Sequence, residues 1–398
     1  MKFHHLLLSL LTLFFFGCKN TPKQVSEVSR ELELARQEAR DDSLELIAAY
    51  ERQSKIELSV SPTYETDDIA SDNVSDAADD PAIWVHPSAP EKSIIIGSNK
   101  TGGIHLYNLT GKEIAYSPVG NVNNVDVIPD FKLGEESVIL VGGSNRTDQS
   151  IDLLTLDPET AELVDISANA LKVNPEEIDD IYGFCFYQEK ESEKSYVFIN
   201  GKNGRMQQFE LLVNEKKKVE VEKVRDVIFD SQVEGMVVDA QYGNLYVGEE
   251  GEGIWKLSAK ADGGSTKSLI SMSGEDNPAI SYDIEGLAIY QKGDRGYLLA
   301  SSQGNFSYAV FDRLGENAYI GSFIIEENEV LDGVEETDGI EVSHFPLGEE
   351  FPEGIFVAQD GFNYEGDSLK PQNFKIVDWR EIEKKLIKGE SKLDVENK

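Results

Sequence analysis

Six segments of this chain begin with an acidic, amide or Tyr-Gly signature and run directly into a strand: DPAIWV, NNVDVI, YGFCFY, EGMVVD, EGLAIY and DGIEVS. Their markers are Asp80, Asn124, Tyr182, Glu234, Glu285 and Asp338, spaced by 44, 58, 52, 51 and 53 residues. Each segment is followed by a second strand that ends in a polar cluster, as in IIIGSNK and VILVGGSNR. A third strand comes next, as in GIHLYNL and SIDLLTL. A multi-stranded unit repeated at this period cannot bury its apolar faces alone, whereas copies stacked in a ring can. The expected fold is therefore all-β, a six-bladed β-propeller over residues 61–386. An N-terminal helical stalk precedes it and a polar tail, residues 387–398, follows. Two smaller all-β domains are the structural alternative. A hydrophobic content of 40% suits either arrangement.

The ring concentrates chemistry at one end. In an antiparallel sheet the start of the first strand and the end of the second share an edge. The signatures and polar clusters then gather around one mouth of the central channel. That mouth collects Asp76, Asp79, Asp80, Glu234, Glu249, Glu250, Asp283, Glu285, Asp332, Asp338 and Asp360. Carboxylates at such density need counter-ions. Hard oxygen ligands, with only His86, His105 and His344 beyond residue 18, select Ca²⁺ or Mg²⁺ over zinc. The flexible coordination of Ca²⁺ favours it where several blades supply the ligands. Lys100, Arg146 and Lys202 end the second strands of three consecutive repeats, which is the placement expected of cations that grip phosphate oxygens.

Net charge narrows the partners. Lys plus Arg number 37 against 74 Asp plus Glu, a balance of −37. Such a field repels nucleic acid, and repels a small anionic substrate unless cations bridge the two. Cys185 lies in an apolar strand and reads as a buried structural thiol.

The ordered blocks DAADDPAIWV, NNVD, YGF, EGM, YGNLYVGEE, DIEGL, YLLASSQGNFSYAVFDR, TDGIEV, GIFVAQDG and QNFKIVDW resemble the β-propeller phytases over residues 73–386. The resemblance implies calcium-dependent, stepwise removal of phosphate from myo-inositol hexakisphosphate (phytate), taken free or as its calcium complex. It implies that Glu234, Glu250, Asp283, Glu285 and Asp338 hold the catalytic calcium cluster, with Asp79 and Asp80 as further ligands. Asp332 and Asp360 would sit at more structural calcium positions. Tyr182 would reach the cluster or a phosphate oxygen, while Lys100, Arg146 and Lys202 would clamp phosphates. Glu234, Glu285, Asp338, Tyr182 and Lys202 would carry the catalysis, with a calcium-activated water attacking phosphorus in line. The chain departs from the family pattern at Thr101, Arg205 and Gly251. Two other classes stay open: another calcium-dependent propeller hydrolase of lactonase or phosphotriesterase type, and a non-catalytic binding propeller.

The N-terminus predicts export. Lys2 precedes the apolar run Leu6–Phe16, too short to span a bilayer, and FFGC resembles the lipobox of bacterial lipoproteins. The resemblance implies removal of residues 1–17 and lipidation of Cys18. The protein would then be a monomer anchored to a bacterial membrane on its periplasmic or cell-surface side. Residues 18–60 form the stalk and linker, helical over about 24–57, where Val25, Val28, Leu32, Ala35 and Ala39 follow a three-four spacing.

Overall fold

The computed structural model describes residue 40, residues 43–71 and residues 76–396. The expected signal peptide, Cys18 and most of the expected stalk lie outside these residues. Each repeat forms one antiparallel sheet. The innermost strands are Ala78–Trp84, Val122–Leu133, Ile181–Gln188, Val233–Asp239, Ile284–Lys292 and Ile340–Ser343. Each touches the innermost strand of the next sheet, and the sixth returns to the first. The ring closes as a six-bladed propeller, which removes the two-domain alternative.

Apolar residues explain why the sheets stack. Second strands such as Ile94–Asn99 are buried along their whole length, so both faces read as apolar. Outer strands such as Glu113–Ser117 alternate between half-buried and exposed positions. Six apolar clusters fill the six gaps between blades. Trp84, Ile96 and Leu106 of the first blade, for example, meet Val125, Val141 and Leu154 of the second.

The chain ends close the ring. Tyr64–Glu65 pairs with Asn373–Asp378 and supplies the outer strand of the sixth blade, so one blade holds both termini of the propeller. Leu58–Val60 lies parallel to Tyr319–Ile325 on the edge of the fifth blade, three residues ahead of the expected start of the domain. A C-terminal helix, Trp379–Glu396, continues through the expected tail. It buries Trp379, Ile382 and Leu386 against the fifth and sixth blades, with Trp379 stacked on Tyr290 at 3.9 Å.

The repeated signature is a β-bulge. In blades one to five the register slips by one residue at the start of the inner strand, between Ala78 and Pro81, Val122 and Val125, Ile181 and Phe184, Val233 and Met236, and Ile284 and Leu287. A bulge re-aims side chains at the end of a ladder. Here it turns the marker residues toward the mouth. Glycine follows several markers because the next blade's backbone occupies its side-chain space. A Cβ on Gly183 would fall 2.0 Å from the Glu234 carbonyl oxygen, and one on Gly235 would fall 2.1 Å from that of Glu285. Side chains from second strands bind backbone carbonyls at the start of the next blade. Asn200 Nδ2 donates to Glu234 O at 2.8 Å, and Ser301 Oγ to Thr337 O at 2.8 Å.

Candidate active site

Glu234, Glu250 and Glu285 each offer a carboxylate oxygen at the mouth, and these atoms lie within 4.8 Å of one another. The bulges of the fourth and fifth blades place Glu234 and Glu285. Glu250 follows the strand Asn244–Glu249. Burial pushes the Glu285 carboxyl well above the usual range, and neighbouring Glu234 pushes it further. Burial likewise raises Glu234. Glu250 is pushed up to about 7 by burial, then by Glu234 and Asp283. Asp283 is itself raised by burial and then by Glu45.

Asp79 brings a fourth buried carboxylate. Burial lifts it well above its ordinary value, Lys100 opposes the rise, and Glu234 and Asp338 add to it. Asp79 Oδ1, Glu250 Oε1 and Glu285 Oε2 are buried and accept no hydrogen bond. A buried acceptor without a donor is costly. Several hard oxygens left open on one concave face fit a calcium ion, so the residues present match the cofactor expected of them.

The three cations behave differently. Lys100 Nζ sits 2.7 Å from Asp338, 2.8 Å from Asp76 and 3.4 Å from Asp79. It is a charge held inside the acidic group, and Asp338 and Asp79 raise its pKa against the opposing effect of burial. Arg146 reaches Asn123 Oδ1 at 3.3 Å and Asp180 at 3.1 Å. Lys202 makes no ion pair among the described residues, and its ammonium lies 4.5 Å from the centre of the Tyr182 ring. Arg146 lies 5.7 Å from the same ring. Burial raises the Tyr182 hydroxyl far above its ordinary value, and Glu234, Asp79, Glu285 and Asp338 raise it further, so the phenol faces the carboxylate cluster.

Other expected site residues stand apart. The Asp80 carboxylate accepts from Val125 N–H at 3.1 Å and lines the central channel, a cavity of about 510 Å³, with Asp126 and Glu341. Asp332 and Asp360 form a second cluster with Glu65 around the fully buried Lys375, whose Nζ lies 2.6, 3.1 and 2.6 Å from them respectively. Of the departures from the family pattern, Arg205 is occupied by Asp226 at 2.5 Å. Thr101 Oγ1 donates to Asn99 at 2.7 Å. A side chain at Gly251 would meet open space.

Two site residues went unassigned in the sequence. Asn123 Nδ2 donates to Glu234 Oε1 at 2.9 Å, linking Arg146 to the cluster, and its only signal was the doubled asparagine in NNVD. Gln303 Nε2 donates to Asp338 Oδ1 at 2.6 Å. It lies in the quoted block YLLASSQGNFSYAVFDR, which gave it no role.

Fold and site together define a β-propeller built to bind anions through a carboxylate-rich, cation-rimmed channel mouth. The Phytase family model matches residues 38–398. A curated relative, 3-phytase of Bacillus subtilis (strain 168), is 42% identical over 325 residues, covering 81% of this chain and 84% of that one. The chain belongs to the phytase family. Among solved structures, BBS1N in complex with ARL6DN overlaps at TM-scores of 0.45 and 0.42 in two crystals, with 10% and 12% identity. The overlaps cover 76% and 74% of this chain, and 80% and 77% of those chains.

Proposed function

We propose that this phytase is a calcium-dependent phosphomonoester hydrolase that releases phosphate stepwise from phytate. The observation that carries the reading is the set of buried carboxylate oxygens without donors, facing a tyrosine flanked by two cations. Glu234, Glu250 and Glu285 would hold calcium, with Asp79, Asp283 and Asp338 completing the cluster. When bound, calcium supplies positive charge against the phosphoryl oxygens and makes a water more acidic.

The protein's own groups bind and orient the substrate. Lys202 makes no ion pair among the described residues and would give a phosphate its first cation. Arg146, fixed by Asn123 and Asp180, gives the second. Lys100 joins them once calcium neutralises the acids around it. The Tyr182 hydroxyl stays protonated through the working range and donates a hydrogen bond at the boundary between cations and acids. Asn123 holds Glu234 in place while charge develops. Asp80 supports the wall of the mouth through Val125, and as a ligand it would use its backbone carbonyl. Asp332 and Asp360 remain the place for a more structural calcium, since Glu65 and these two acids outnumber the single ammonium of Lys375.

The same proposal places the protein outside the cytoplasm as a monomer, lipid-anchored through Cys18 on the periplasmic or cell-surface side of a bacterial membrane. The apolar run and FFGC support it, and mass spectrometry of the mature N-terminus tests it. The hydrolase reading is tested by phosphate release from phytate with calcium and after exhaustive chelation. Release that survives chelation contradicts the calcium dependence.

A further inference from the structure

The turn that carries Lys100 is held by a chain of hydrogen bonds through the buried Asn99 and His105. Asn99 Oδ1 accepts from the Thr101 N–H at 2.8 Å and from Thr101 Oγ1 at 2.7 Å. This turns Asn99 Nδ2 toward His105 Nε2, 3.2 Å away. An amide NH₂ only donates, so Nε2 is the bare ring nitrogen and the proton sits on Nδ1. Nδ1–H then donates to Glu113 Oε2 at 2.7 Å. Asn99 and His105 are both buried. Tyr107 and Tyr116 flank the ring, with centroids at 6.0 and 4.5 Å, and Tyr116 OH donates to Gly102 O in the same turn at 3.2 Å.

The second blade repeats the device ahead of Arg146. Asn145 Oδ1 accepts from Thr147 N–H at 3.0 Å, and its Nδ2 donates to Asp152 at 2.9 Å. His105 and Asp152 occupy the same register, paired with Gly97 and Gly143, two residues before the respective asparagines. Two blades thus fix a phosphate-facing cation through the same asparagine lock. The first blade locks it with an imidazole, which gains a positive charge on protonation, and the second with a carboxylate that burial pushes up to about 6.

We propose that His105, neutral and protonated on Nδ1, is a positioning residue for substrate binding: it locks Asn99 and so the turn that presents Lys100. The inference rests on the reading of Lys100 as a phosphate ligand. A proton on Nε2 sets two donors against each other, so the Asn99 amide must turn and release Thr101. The charged and titratable groups around the ring are Glu113, the phenols of Tyr107 and Tyr116, and, behind Glu113, Asp67 and Lys112. Asp67 accepts from Glu113 N–H at 2.9 Å and from Lys112 at 2.6 Å. Burial holds the imidazole below its ordinary pKa and Glu113 pulls the other way. The lock therefore opens on the acid side of pH 6.5, the ordinary histidine value of about 6.5 being its upper bound.

The test compares wild type with His105→Ala and His105→Gln, the glutamine offering an acceptor that does not titrate. At pH 7.5 and saturating calcium, His105→Ala raises the KM for phytate about fivefold, the scale of one lost positioning hydrogen bond, with kcat within about twofold. His105→Gln restores most of the affinity. As pH falls toward 5, the wild-type KM climbs relative to that of His105→Gln, a ratio in which titration of the substrate cancels. In ¹⁵N spectra, the resonance lost in His105→Gln shows an unprotonated Nε2 and a protonated Nδ1 at neutral pH. A wild-type KM in His105→Ala, a flat wild-type to glutamine ratio, or a protonated Nε2 at neutral pH each overturns the proposal. A wild-type protein inert on phytate overturns the hydrolase reading instead, and the spectra still decide the tautomer.

Discussion

At the residue scale, the site divides labour between carboxylates and cations. Glu234→Gln keeps the hydrogen-bonding shape beside Asn123 and removes a charge from the cluster. We expect kcat to fall roughly a hundredfold, about 3 kcal/mol of transition-state stabilisation, with little change in substrate affinity. Lys202→Ala should lower both affinity and kcat, because its contact forms with the bound phosphate and strengthens as charge develops during attack. Steady-state kinetics of both variants at saturating calcium check these outcomes, and a Lys202→Ala enzyme within about twofold of wild type would return that lysine to the surface. Gly235→Ala forces a Cβ against the Glu285 carbonyl oxygen and should destabilise the fold by about 2–4 kcal/mol, read in denaturant unfolding. The channel acids give a pH prediction. Burial and then Asp126 push Glu341 up to about 8. Because its folded pKa is raised, its stabilising contribution is full below the unfolded value and is lost as pH rises toward 8. Glu341→Gln should therefore gain on the order of 4 kcal/mol at pH 8 and nothing at pH 4, as compared by thermal unfolding.

At the element scale, strands were more legible than helices and edges. The inner and second strands announce themselves because burial on both faces leaves near-continuous apolar runs. The bulge did not, since a register slip has no composition of its own, although the glycines after Tyr182, Glu234, Glu285 and Asp338 mark where backbone approaches backbone. The helix expected over 24–57 is described at residues 43–53. It lies on the body and buries Ala49. Tyr50 meets Phe306 edge-on at 5.2 Å, and Arg52 donates to Gly304 O at 3.0 Å. The residues of the three-four spacing, Val25 to Ala39, lie outside the described residues, and the docking of 43–53 had no signal in the sequence, because Gly304 and Phe306 lie some 250 residues away in the chain. The closing strand Tyr64–Glu65 is two residues long, too short for any period to register. Truncation to Ile56, which keeps that strand and Leu58–Val60, should lower Tm by only a few degrees, because few contacts hold the helix. A collapse of the fold would show that the helix is part of the ring.

At the scale of the whole molecule, the sequence repeat located the mouth and the resemblance assigned its chemistry. Neither located the partners of individual charges. Lys100, Arg146 and Lys202 all end second strands, yet only Lys202 is without a carboxylate partner among the described residues, and no spacing distinguishes them. The ring also sorts charge. Blades one to three supply the three cations, while blades four to six supply most of the acids, Glu234, Glu250, Asp283, Glu285 and Asp338, with Asp79 added from the first blade. A polyphosphate can span that divide only when the acidic half is neutralised, which makes calcium central to the proposed mechanism. Calcium that binds only the folded chain should also raise Tm, by mass action, and chelation should reverse the gain. The most direct measurement is anomalous diffraction from crystals soaked in calcium. The proposed mechanism predicts ion density between Glu234, Glu250 and Glu285, within about 2.3–2.6 Å of their carboxylate oxygens. Active enzyme with calcium density only elsewhere, such as beside Asp332 and Asp360, would contradict it.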